Sequence, residues 1–255
     1  GGPAGGGASV GGGAGTSAGG GPACAPNHDG VITRAEVPIE AGLSAKFETA
    51  TNVTFATSGT AKPDGTRDWN MVGPFSGDHL DLVETIPMSG QWFEPDFAGA
   101  TYAAKLSDTS DLLGVFEVTA DALLLRGVVS PQGGVQKTEL TYDPPVAALQ
   151  FPLSVGASWS ANSTVTGFAQ GVYSAYTENY SNSVDASGTL EAPFGTFDVL
   201  RVKTTLTRVV GGIPTVVRSF GFAAECFGTV ATVVSQNDET EDEFSSAAEL
   251  KRLAP

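Results

Sequence analysis

The sequence predicts a mainly β protein, an antiparallel sandwich or half-open curved barrel, behind a disordered Gly-rich N-terminal tether. Three observations carry that prediction. Short runs rich in Val, Thr, Leu and Phe recur along the chain, and such residues suit a pleated, half-buried surface. Clusters of Gly, Pro, Asn and Asp punctuate them as turns. The connections leave no room for crossover helices, so neighbouring strands are expected to be antiparallel.

A chain of 255 residues suits one large β domain or two small ones. Hydrophobic residues make up 41% and charged residues 16%, so the surface must rely on Thr, Ser, Asn and Gly for solubility, a habit of extracytoplasmic proteins. The formal charge is −15 with 13 basic residues, which makes nucleic acid and anionic membrane surfaces poor partners and cations better ones. No run approaches the roughly 18 apolar residues of a membrane-spanning helix.

Residues 1–22 are Gly-rich and hold nothing that builds a core, so they read as a flexible tether. The expectation is a processed chain whose tether follows a lipid-modified Cys just upstream of Gly1. The rival expectation is an arm ordered by neighbours inside an assembly. Cys24 and Cys226 lie near opposite ends; in an oxidising compartment they make one disulfide, worth about 5 kcal/mol in the chain-entropy treatment. The alternative is two buried thiols.

Residues 23–40 form a calcium-loop-like segment. Ala25 to Glu36 resembles the EF-hand loop, with Gly30 at the turn position and Ile32 at the apolar one. The candidate ligands are the side chains of Asn27, Asp29, Thr33 and Glu36 and the carbonyl of Val31. Ala25 stands where the first Asp belongs, and Pro38 cuts short an exiting helix, so binding is expected in the weak, extracellular class. The competing reading is an Asn-x-Asp-Gly turn that needs no ion.

The remainder, 41–255, reads as the antiparallel β domain, with a sub-boundary near 143–150. Residues 42–57 suggest one or two strands, and Lys62-Pro-Asp-Gly65 a turn. His79, with Asp78 and Asp81 beside it, is the one place where an imidazole meets carboxylates; in a strand it shares a face with Asp81. It reads as a base or metal ligand, or, as favoured here, as a loop histidine beside solvated acids. Trp92, Phe93 and Phe97 are expected to plug one end of the β core rather than floor a ligand site. Strands are predicted at 101–106, 112–118, 122–129 and 135–142.

Farther on, 164–168 and 172–180 read as strands, and Tyr173, Tyr176 and Tyr180 cannot all share one face. Phe197–Val209 is the longest candidate. Leu200, Val202, Thr204 and Leu206 point one way, and Arg201, Lys203, Thr205 and Thr207 the other. Gly211-Gly212 then turns into 215–222, and another strand follows Cys226. The acidic run over 237–243 reads as a solvated hairpin tip. Sequons begin at Asn52, Asn162 and Asn179.

Pro152-Leu153, Gly156 and Trp159, then Pro193, Gly195, Phe197 and Val202, then Gly228 and Val230, follow one pattern. It resembles bacterial cell-envelope β-domain proteins and lipoproteins of unknown function that carry P-L-x-x-G-x-x-W, P-x-G-x-F and G-x-V. The resemblance covers about 150–235. It implies a curved antiparallel sheet and an extracytoplasmic location, and brings no catalytic residues with it.

No G-x-S-x-G, phosphate loop, H-E-x-x-H or C-x-x-C is present. The expected function is a secreted or lipid-anchored bacterial envelope protein, non-catalytic, binding an unknown protein or apolar ligand. The alternatives are a subunit of an extracellular assembly and a secreted hydrolase built on carboxylates. Calcium is the sole cofactor expected.

Overall fold

The computed structural model describes residues 24–255. The tether assigned to 1–22 lies outside the described residues. A two-residue strand β1 (Val31–Ile32) and a 3-10 turn (Arg34–Glu36) precede β2 (Ser44–Thr54). A strap carrying β3 (Thr60–Ala61) and β4 (Arg67–Asn70) leads to β5 (His79–Pro87), which returns beside β2. Then come β6 (Tyr102–Ser107), β7 (Ser110–Val118), β8 (Ala122–Val129) and β9 (Glu139–Gln150), each the antiparallel partner of the last. The short β10 (Leu153–Ser154) pairs with β1. The longest strands follow as β11 (Ser158–Ala169), β12 (Val172–Ala192), β13 (Gly195–Val210) and β14 (Ile213–Ala224). Finally β15 (Gly228–Ser235) and β16 (Ser246–Ala254) bring the chain back to β2.

The sheet runs β11-β9-β8-β7-β6-β5-β2-β16-β15-β14-β13-β12, and β11 pairs in turn with β12 from Ser158↔Ser183 to Ala169↔Val172. Twelve strands therefore close into a barrel. β4 branches off β12 as a parallel neighbour, the exception to the antiparallel rule, and β3 follows β4. Gly188 makes that junction feasible: a Cβ there would stand 1.8 Å from the Arg67 carbonyl oxygen. The sub-boundary placed near 143–150 falls within β9, inside this continuous sheet.

Closure is uneven along the barrel axis. Among the described residues, β9 pairs with β11 only over Glu139–Asp143, opposite Thr164–Phe168. Pro144 and Pro145 come next, and neither has an N–H to give. The β8–β9 register shifts across the same point, between Leu125 and Gly127. Beyond it β9 stays with β8 and β11 stays with β12. Of the sandwich and the half-open curved barrel expected from the sequence, the fold is the barrel, and its β9–β11 seam is paired over 139–143 and split beyond.

Inward side chains fill the barrel. Tyr102, Phe116, Leu125, Tyr142, Val165, Tyr180, Val184 and Val202 belong to one core, which Ile32, Val37 and Ile39 of the N-terminal segment join. Glu178, fully buried on the same face, accepts from Arg208 Nε at 2.7 Å and from the Tyr180 hydroxyl at 2.5 Å. Burial, with Glu178 behind it, pushes the Tyr180 hydroxyl far above its ordinary range. Tyr176 and Tyr180 share this inner face, while Tyr173 lies exposed.

Two apolar patches on the outer wall are covered by straps. Trp69 of β4 packs edge-on against Phe222 at 5.0 Å, and Met71, Phe197, Phe220 and Phe244 belong to the same cluster. Phe93 and Phe97 cover Ala103, Val115 and Val129 on β6–β8, with Phe97 lying over Gly127. The 91–97 aromatics therefore cap the outer face and do not plug an end. The cause is alternation: Ala103, Val115 and Val129 face away from Tyr102 and Phe116, which leaves an apolar outer patch that must be covered.

Arginines on the outer wall hold the straps down. Arg201, 2% exposed, bonds Asp185 at 2.8 and 2.9 Å, Glu243 at 2.6 Å and the Thr57 carbonyl at 2.7 Å. Its guanidinium also lies 4.3 Å from the Phe220 ring centroid. Asp242 pairs with Lys203 at 2.8 Å and Arg218 at 2.7 Å. The acidic run is thus more than a solvated tip, because its last two charges meet basic side chains from β13 and β14.

Candidate functional site

The segment after Cys24 is fastened at several points. Cys24 and Cys226 form a disulfide that joins the segment to the β14–β15 turn, and Cys226 N–H donates to the Glu36 carbonyl at 2.7 Å. Asn27 Oδ1 accepts from Asp29 N–H at 2.9 Å, and Asp29 Oδ1 from Val31 N–H at 2.8 Å. Glu36 Oε2 accepts from both the N–H and the hydroxyl of Thr33 at 2.8 Å, and its Oε1 accepts from the Asn27 amide at 2.8 Å. Turn and capping hydrogen bonds therefore occupy the side chains of the calcium-like set, while Val31 and Ile32 pair with Ser154 and Leu153 of β10. Among the described residues no three His, Cys, Asp or Glu side chains gather in a metal-holding group.

This segment forms one wall of a cleft of about 590 Å³ at the end of the barrel that carries the β12–β13 and β14–β15 turns. The β3–β4 turn makes the facing wall, and β12 and β13 make the floor. His28 Nδ1 lies 3.0 Å from Asp198 Oδ2, and the N–H groups of Asn27 and His28 both donate to Glu225 Oε2, at 2.7 and 3.2 Å. On the other wall Lys62 Nζ is 2.5 Å from Asp68 Oδ1 and 3.4 Å from Thr189 Oγ1. The bond to Asp68 raises the Lys62 ammonium above its ordinary value, and bonds from the Thr66 hydroxyl and N–H hold Asp64 below its own. Phe197 and Phe227, edge-to-face at 5.0 Å, are also among the lining residues of the cleft. The site therefore combines apolar side chains, among them Ile32 and Leu200, with His28, Lys62, Asp64, Asp198 and Glu225, in a volume inside the range of small-ligand clefts.

No protein-family model matches the chain, no curated protein matches it in sequence, and no solved structure matches its fold. The site therefore has to be read from its own geometry.

His79 stands elsewhere, at the start of β5 and half exposed. Its Nδ1 is 3.0 Å from the Gly77 carbonyl and its Nε2 is 2.9 Å from Asp108 Oδ2. Both neighbours are acceptors, so both ring nitrogens are best served as donors. The Gly77 carbonyl, with help from the Asp108 contact and the Asp81 charge, raises the imidazole above its usual value against the opposing effect of burial. Neither flanking acid is the ring's hydrogen-bond partner. Asp81 pairs with Lys105 at 3.3 Å, and Asp78 with Arg252 at 2.8 Å.

Sequence reasoning placed interest on Asn27–Glu36 and missed the opposite wall. Lys62 sat in a stretch read as a plain turn, and Asp198 in a stretch read for packing alone. The available signal was a histidine, His28, inside the 25–36 loop; the structure gives it a left-handed φ of 56° and a ring that meets Asp198.

Proposed function

We propose that this chain is a secreted or lipid-anchored bacterial envelope protein that binds, without catalysis, an apolar small molecule or an apolar group of a partner protein in this cleft. The observation that carries the reading is the cleft itself, lined by Ile32, Leu200 and Phe227 between a disulfide-fastened wall and the β3–β4 turn. The barrel core is packed with side chains, which leaves the cleft at its end as the place for a ligand. The test is fluorescence titration with N-phenyl-1-naphthylamine. Saturable enhancement is expected, weakened by about tenfold or more in Thr196→Trp, whose indole would fill the floor. Unchanged saturation in that variant sinks the reading.

A second reading, a subunit of an extracellular assembly, is favoured by the opposite end of the barrel. There Val172, Tyr173, Val210 and Ile213 are exposed at the tips of the β11–β12 and β13–β14 hairpins. Light scattering behind size exclusion decides it, since a strict monomer at high concentration removes it.

A further inference from the structure

The split between β9 and β11 leaves two strand edges facing one another. Among the described residues no backbone hydrogen bond joins 144–150 to 158–163. Each strand is fully engaged on its far side: β9 with β8 out to Ala122↔Gln150, and β11 with β12 from Ser158↔Ser183 onward. The opening coincides in the sequence with Pro144-Pro145, where neither edge of β9 has an N–H to offer and the β8–β9 register shifts. The contact across it is a side chain, with Trp159 Nε1–H donating to the Ala147 carbonyl at 2.9 Å.

We propose that this split is an interaction surface that takes one extended peptide strand of a partner protein, added to the free edges of β9 and β11. An unpaired edge offers N–H and C=O groups in alternation along its length, and an extended polypeptide returns the same pattern, which a lipid or a sugar does not. The side chains describe the partner further. Val146 and Leu149 are buried and Trp159 and Ala161 pack on the core, so partner residues that point inward are small and apolar. Ser158, Ser160 and Asn162 are exposed on the outer side, so its alternate residues are uncharged and polar. Neither edge, 146–150 (VAALQ) or 158–163 (SWSANS), carries a charge, and on a chain of net charge −15 that neutrality selects an uncharged strand. The split is distinct from the cleft, so failure of one reading leaves the other standing.

The experiment pairs amide hydrogen exchange of the full chain with selection from a displayed library of random heptapeptides. In the free protein, split-facing amides of 146–150 and 158–163 are expected to exchange about tenfold or more faster than those of 139–143 and 164–168. The selected heptapeptides are expected to alternate small apolar and uncharged polar residues and to slow those same amides by a similar factor. The double variant Pro144→Thr with Pro145→Val, which returns an N–H to each edge of β9, is expected to pair β9 with β11 farther along and to lose capture. Equal protection in the free protein overturns the proposal, as does an absence of enriched heptapeptides, or enriched ones that leave these amides unchanged or bind the double variant equally well. If the double variant does not fold, the exchange comparison on the natural sequence decides alone.

Discussion

The guanidinium of Arg252 grips both carboxylate oxygens of Asp78, at 2.8 and 3.0 Å, across 174 positions of sequence. Arg252 is fully buried, also reaches Glu48 Oε2 and the Met71 carbonyl, each at 3.0 Å, and lies over the Phe75 ring. One side chain on β16 therefore secures the end of the strap over 71–78.

Replacing it tests how much of the strap depends on that grip. Arg252→Ala leaves Asp78 largely buried without its cation, a loss of about 3–5 kcal/mol. The unfolding midpoint is expected to fall by about 10 °C or more. The pair also predicts acid sensitivity. Burial pushes the Asp78 carboxyl up, but hydrogen bonds from Arg252 and Phe75 N–H, with the Arg252 charge, outweigh it and leave it below its ordinary value. Its contribution is present above about pH 4 and disappears as pH falls through the folded value. Thermal melts from pH 6 to pH 2 should show a shallower acid decline in Asp78→Asn, and equal declines would contradict the assignment.

Arg201 is predicted to reject its usual conservative replacement. Its planar fork serves Asp185, Glu243 and the Thr57 carbonyl at once while facing Phe220. A lysine ammonium matches neither the fork nor the ring contact. Arg201→Lys is expected to cost on the order of 3 kcal/mol. Exchange of the Phe55, Thr57 and Trp69 amides should accelerate more than that of the β6–β8 amides; uniform acceleration would place the effect elsewhere.

His79 gives stability the opposite pH dependence. Its folded value lies above the unfolded one near 6.5, so its contribution is complete below that pH and is lost as pH rises through the folded value. Stability of the natural chain relative to His79→Gln should therefore be greater at pH 5.5 than at pH 8.5. A flat difference between the two melts would show that the Asp108 contact contributes nothing.

The N-terminal wall of the cleft is predicted to depend on the disulfide and not on a metal. A loop of 202 residues closed by Cys24–Cys226 is worth about 5 kcal/mol in the chain-entropy treatment. Cys24→Ser with Cys226→Ser should lower the midpoint and weaken naphthylamine binding together. The Asn27, Asp29, Thr33 and Glu36 side chains already bond within their own loop, so chelator is expected to leave the midpoint unchanged. A rise of the midpoint in millimolar calcium would show that the loop opens into an oxygen cage.

What the sequence revealed and what it hid divide along a physical line. Strands such as Phe197–Val209 were legible because alternation is local, and Gly211-Gly212 marked its hairpin for the same reason. The Cys24–Cys226 bond was legible because two thiols have one simple outcome. Barrel closure was not, since it rests on β2 meeting β16 and β11 meeting β12 in one circuit, and no local pattern encodes which edges meet. The cleft was hidden for a similar reason: His28 and Asp198 are 170 positions apart. The imidazole was noticed, but its neighbours in sequence misdirected attention from Asp108, which reaches it from the β6–β7 turn.

The pairing of Ser44–Thr54 with Ser246–Ala254 sets a schedule for biosynthesis. One edge of β2 waits through roughly 190 intervening positions for its partner. At ribosomal speed that is about 10–40 s during which the nascent chain holds an unsealed β edge. A protein with this wiring acquires its native shape late, all at once, and with slow kinetics typical of distant pairings. Because β16 is the last strand of the chain, the β2–β16 seam is the last part of the barrel that can form.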